Sequence, residues 1–387
     1  MNTEQVLFAL IRNVICGEAV SEETKSACTP EMLEAVYTLA AKHDLAHLVG
    51  QAVSKLDLPE SEILKKCKQA AMRVFMRYAQ QSYEYAHCCK ALEDAQIPFI
   101  PLKGSILRDL YPEPWLRNSC DIDILVKEEM LDAAVSALVD NLGYTAGNKG
   151  DHDITLTAPS GVHLELHYDT IQERYEAGTS RSVLSRVWED SFCAEGKCFQ
   201  RSLTDEMFYF YHIAHMAKHF ENGGCGIRPF LDIWILHNRI DPNNKKRDAL
   251  LKEGGLPAFA QGAEKLSRVW FLGAEPDSLT LQMEQYILFG GTYGNLTNRA
   301  AYGQVKSGSK AKYLLTQRIF LPYDYLKAEY PILKEKKYLT PIYQGVRWVR
   351  TLRAGGLQRH TSEMLTNLNT TDAAREATAQ MLKQLGL

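Results

Sequence analysis

The chain has 387 residues, 45% hydrophobic and 24% charged, long enough for two or three domains around a large core. Its 44 basic and 47 acidic residues leave a formal net charge of −3, which excludes a uniformly basic nucleic-acid coat. No apolar run approaches the roughly 18 residues of a membrane span, and nine cysteines without a CxxC pair fit neither a zinc site nor a disulfide framework, so a cytoplasmic setting is expected.

The opening "MNTEQVLFALIRNVICGEAV" carries a short apolar run with no basic leader and no small-residue cleavage site. It predicts an amphipathic helix rather than a signal peptide. Residues 31–56 place Leu33, Val36, Tyr37, Ala40 and Ala41 at helical spacing, and residues 61–95 are strong helix formers without Pro or Gly. Lysines 65, 66 and 68 read as a solvated face.

The pattern changes at "IPFIPLKG" (97–104), where branched and aromatic residues, two prolines and a glycine predict an edge-like strand ending in a turn. "SILRDLY" follows as a short helix with Ser105 as its N-cap. A loop containing Pro and Trp leads into "DIDILV" (121–126), and "KEEMLDAAVSALVDNLGY" then predicts an amphipathic helix closed by Asn141 and Gly143. Two strands, "DITLTA" and "VHLELHY", are joined by "PSG", a hairpin turn signal. Beyond about residue 180 the chain is expected to be helical, and "FGGTYGN" (289–295) reads as a plain loop.

"DIDILV" poses a physical problem. Side chains alternate along a strand, so Asp121 and Asp123 share one face while Ile122, Ile124 and Val126 share the other. Two carboxylates only about 7 Å apart repel each other, and a cation between them removes that penalty. Magnesium suits such hard oxygen donors while keeping positions for substrate phosphates. In "VHLELHY", Glu165 shares a face with His163 and His167, and the hairpin brings it towards the two aspartates as a third carboxylate. The flanking histidines read as the exposed side of the sheet, with support of a metal ligand as the alternative. Gly104-Ser105 offers close backbone approach and a helix start to phosphate, with Lys103 and Arg108 adding positive charge.

"PLKGSILRDLYPEPWLRNSCDIDILV", followed by "HLELHYD", resembles the nucleotidyltransferase fold shared with DNA polymerase beta. More narrowly it resembles the bacterial uncharacterised nucleotidyltransferase family, through Lys-Gly before the helix and Arg…Asp-x-Asp on the second strand. The resemblance covers residues 96–170 as a catalytic core and extends into the flanks through "HIAHMAKH…RPFLDI" and "IFLPYDYLKAEYP". The segment between Ser105 and Asp121 is slightly longer than the superfamily pattern.

The resemblance implies an α+β chain: a small mixed-sheet core (residues 96–175) between an N-terminal helical region (1–95) and a C-terminal helical domain (176–387). It implies two-metal transfer of an NMP from an NTP to a hydroxyl, with Asp121, Asp123 and Glu165 as catalytic metal ligands for Mg2+ or Mn2+. Lys103, Gly104, Ser105 and Arg117 would meet the nucleotide. A small-molecule acceptor is expected over protein or RNA, because basic stripes are missing. The alternative is a catalytically silent module of the same fold that binds nucleotide or a partner protein.

His212, His215, Lys218 and His219 share one helix face in "HIAHMAKH". They read as a polar seam with Arg228 and Asp232, and as a pocket lining through His215, Lys218 and His219. A metal site with Asp232, serving a phosphohydrolase, is the third reading. The basic stretch 347–360 reads as a solvated helix end.

Overall fold

The computed structural model describes residues 1–150, 152–170, 179–240, 243–353 and 357–387. Helices α1 (Thr3–Ile15), α2 (Glu22–Ala27), α3 (Pro30–Lys42), α4 (Ala46–Val53) and α5 (Glu62–Asp94) fill the N-terminal region. Each start has a local cause. Asn2 and Gln5 form a capping box on α1, Thr29 caps α3 with Pro30 at its first position, and Ser61 caps α5. The stretch 31–56, a single helical pattern in the sequence, divides at Asp44, which adopts φ 58°. Aspartate tolerates that left-handed geometry, and the turn folds α4 back. Leu33, Val36 and Ala40 are buried as expected, whereas Ala41 faces solvent.

The central sheet has the strand order β1-β2-β5-β4-β3. It is built from β1 (Phe99–Pro101), β2 (Asp121–Val126), β3 (Thr145–Lys149), β4 (Asp153–Thr157) and β5 (His163–His167). α6 (Gly104–Leu107) links the first two strands, and α7 (Leu131–Leu142) crosses from β2 and ends at Gly143. β1 is an edge strand, which is where Pro101 is tolerated. β4 and β5 form the expected hairpin, while β2 and β5 run parallel. The sheet is therefore mixed, and the chain has the α+β organisation anticipated above. β3 carries no sequence signal, because "TAGNK" is exposed on both faces and shows no alternation.

After α8 (Ser180–Leu184) come β6 (Ser191–Cys193) and β7 (Arg201–Leu203), a small ribbon where only helix was expected. Then follow α9 (Asp205–Glu221), α10 (Arg228–Arg239), α11 (Asn244–Glu253), α12 (Pro257–Leu272), α13 (Ser278–Gly290) and α14 (Leu296–Ser307), with further helices to Leu385. Ile122, Ile124, Val126, Leu164 and Leu166 pack one sheet face against α5 and α7. The main core runs from Val6 to Leu385 and includes Ile100, Leu102 and Leu125. Part of the basic stretch, 354–356, and the expected domain boundary near residue 175 lie outside the described residues. Among the described residues no helix is long and apolar enough to cross a membrane.

Candidate active site

Strand alternation puts Asp121 and Asp123 on the sheet face opposite Ile122, Ile124 and Val126, and the parallel register does the rest. Asp123 pairs with Glu165 and Asp121 with His163. His167, two residues beyond Glu165, points to the same face and is buried. Its Nε2 donates to Asp123 Oδ1 at 2.9 Å and lies 3.4 Å from Glu165 Oε2. Lys103 Nζ donates to the same Asp123 oxygen at 2.7 Å. The lysine sits at the turn after β1 with φ 45° and ψ −117°, and Leu102 N–H bonds to Asp123 O across that turn.

These groups set each other's protonation. Burial alone would push the Asp123 carboxyl up, but the Lys103 ammonium and the His167 bond hold it well below the usual range. Burial and the Asp123 charge push Asp121 up to about 6. Glu165 is lowered chiefly by its bond from His167. His167 itself is raised, since its bonds to Asp123 and Glu165 outweigh its burial.

Helices α9 and α10 close a cavity of about 310 Å³ over this face. Tyr211, His212, His215, Lys218 and His219 line it from α9, so the seam expected from the sequence is a pocket wall. Burial drives the three histidines towards the neutral form, His219 to about 4. His215 and His219 face each other Nε2 to Nε2 at 3.2 Å, and His212 Nε2 donates to Pro229 O at 3.0 Å.

Arg117 lines the pocket, but its fork is engaged. Nε and Nη2 donate to Asp232 Oδ1 and Oδ2 at 3.2 and 2.9 Å, and Tyr111 donates to Asp232 Oδ1 at 2.6 Å. Gly104 is small for the sake of this arginine: a Cβ there would stand 2.6 Å from Arg117 Nη1. Gly104 and Ser105 are buried behind the cavity wall rather than lining it. Lys103, not Ser105, precedes the four-residue α6, and no side chain caps it. Arg108 is likewise inside the protein, donating to Gly104 O and Ser119 Oγ at 2.9 Å.

Several cavity residues escaped the sequence reading. His152, just before β4, and Asp153, its first residue, line the cavity, as do Thr292 and Tyr293 from the loop read as plain. That loop is Gly-rich because it lies backbone to backbone on another: a Cβ on Gly294 would stand 2.7 Å from Gly223 O. Arg228 reaches the cavity from the start of α10, with Nη1 donating to Asn118 O at 2.8 Å.

Among the described residues two groups have donor atoms within 4.8 Å of one another: Asp123, Glu165 and His167, and His152, Asp153 and His167. Two carboxylates and an imidazole at that separation fit a divalent cation. Asp121 stands beside the first group on the cavity wall but outside it. The His212–His219 seam forms no such group.

A mixed sheet carrying acids on adjacent parallel strands, roofed by helices over a polar cavity, describes a nucleotidyltransferase. Residues 29–271 match the family model described as "Uncharacterised nucleotidyltransferase", and the chain belongs to that family. No curated protein and no solved structure matches it. Membership supports a nucleotide substrate and a transferase role in general. Thr292 and Tyr293 lie beyond the matched span.

Proposed function

We propose that the protein transfers an NMP from an NTP to the hydroxyl of a small molecule, with a divalent cation, Mg2+ or Mn2+, held at the acids of β2 and β5. The observation that carries this reading is the parallel register that sets Glu165 beside Asp123 under the helical roof. Asp123, Glu165 and His167 would hold the cation, with Asp121 alongside; His167 would yield its Nε2 proton to do so. A cation there supplies charge neutralisation at the α-phosphate and lowers the pKa of the attacking hydroxyl.

The chain's own groups account for the rest. Arg228 and Lys218, on the cavity wall, provide positive charge for the phosphates. Arg117 braces the wall through Asp232. The acceptor oxygen bonds to the α-phosphorus, the bond to the bridging oxygen breaks, and pyrophosphate leaves. The acceptor proton passes to a carboxylate oxygen of Glu165. The cavity of about 310 Å³ is at the low end of small-molecule sites, which favours a small acceptor over a polymer. Nine free cysteines accord with a reducing, cytoplasmic setting.

Pyrophosphate release from each NTP, with Mg2+ or Mn2+ and a panel of hydroxyl acceptors, tests the reading. Asp123→Asn should lower release at least about 100-fold, with an unchanged circular dichroism spectrum. Equal rates in wild type and variant would eliminate the mechanism. NTP binding without release by the wild type over the whole panel would favour the silent module.

A further inference from the structure

Lys103 is the unexpected member of the acidic cluster. Its Nζ stands 2.7 Å from Asp123 Oδ1, on a side chain only 22% exposed, and Glu165 and Tyr211 also face the ammonium. Its backbone adopts φ 45°, a region that L side chains rarely enter. The turn after β1 thus holds a lysine in strained geometry, and that geometry aims its ammonium at the Asp123 carboxylate.

Charge points the same way. Asp121, Asp123 and Glu165 bring three negative charges to one sheet face. Two divalent cations would overcompensate them by one charge before any nucleotide arrives, whereas one divalent cation and the ammonium balance them. Among the described residues, both side-chain hydrogen bonds to the Asp123 carboxylate end on Oδ1, so Oδ2 is left for an ion.

We propose that the Lys103 ammonium fills one of the two cation positions expected of such a site. The protein then takes one divalent ion, at Asp123, Glu165 and His167. This rests on the reading above only in requiring that the cluster bind a divalent cation. A fixed ammonium attracts the transferred phosphate as a cation does, but cannot be chelated or exchanged.

Electron paramagnetic resonance counting of bound Mn2+, without nucleotide, is the test. Wild type should bind one Mn2+ per chain. Lys103→Met should bind two, and Lys103→Gly should do the same while relieving the backbone, which guards against a folding defect in the first variant. Lys103→Arg should return the count to one. A wild-type count of none or two, or a count still at one in both the Met and Gly variants, overturns the proposal. The count needs no turnover, so a protein that takes one Mn2+ yet releases no pyrophosphate would sink the transferase reading and leave this one standing.

Discussion

Asp232 is completely buried, and both of its carboxylate oxygens hold Arg117. The charge of Arg117 is thereby spent inside the wall of the cavity, and Gly104 is shaped to let the guanidinium in. Removing one partner from such a pair strands the other. Asp232→Asn should therefore cost on the order of 3–5 kcal/mol, measured as denaturant unfolding free energy. A loss below about 1 kcal/mol would mean that Arg117 turns to solvent, where it could meet phosphate directly. The pairing was invisible beforehand because the two residues are 115 positions apart. His167 was closer to hand: its spacing of two from Glu165 placed it on the right face, but only burial distinguishes a working histidine from an exposed one.

Among the elements, the β2–β5 pair and the loop between α13 and α14 matter most to the site. The strands supply acids at fixed spacing, and the loop supplies Thr292 and Tyr293 only while it stays docked on residues 223–226. Thr292 N–H, which donates to Lys42 O at 3.1 Å, is one anchor, and glycine contact is the other. Gly294 has φ 72°, so Gly294→Ala combines a disfavoured backbone with a clash against Gly223. We expect a loss of roughly 1–3 kcal/mol and faster amide hydrogen exchange confined to residues near 290–295. Uniform exchange across the chain would show that the loop is not a separate unit.

At the scale of the whole molecule, His43 and His47 tie the N-terminal helices to both sides of the site. His43 Nε2 bonds to Leu288 O at 3.3 Å beside the docked loop, and His47 Nε2 bonds to Leu116 O at 2.8 Å beside Arg117. Both are almost fully buried, and burial pushes each down to about 4. The unfolded chain binds protons at these histidines near pH 6.5 while the folded one resists until about 4, so acid favours unfolding. Stability should fall as pH drops from about 6.5 to 4, by up to roughly 3 kcal/mol for each histidine. Denaturant midpoints at pH 7.5 and 4.5 measure this, and His43→Gln should narrow the difference by that histidine's share. An unchanged slope in that variant would assign the acid sensitivity elsewhere.

Local chemistry made much of the core legible. Alternation in "DIDILV" and "HLELH", the "PSG" turn, and the uninterrupted run of α5 each follow from rules acting within a few residues, and they led to the acids and to the family. The exposed strand β3 and the ribbon β6–β7 left no such mark, because neither has a one-sided apolar pattern. The site's finer character also came from contacts across tens or hundreds of residues: which glycine serves an arginine, which loop is a wall, and which lysine meets Asp123. Such contacts arise only when separate elements are brought together in space, and the order of residues along a strand or helix carries no trace of them.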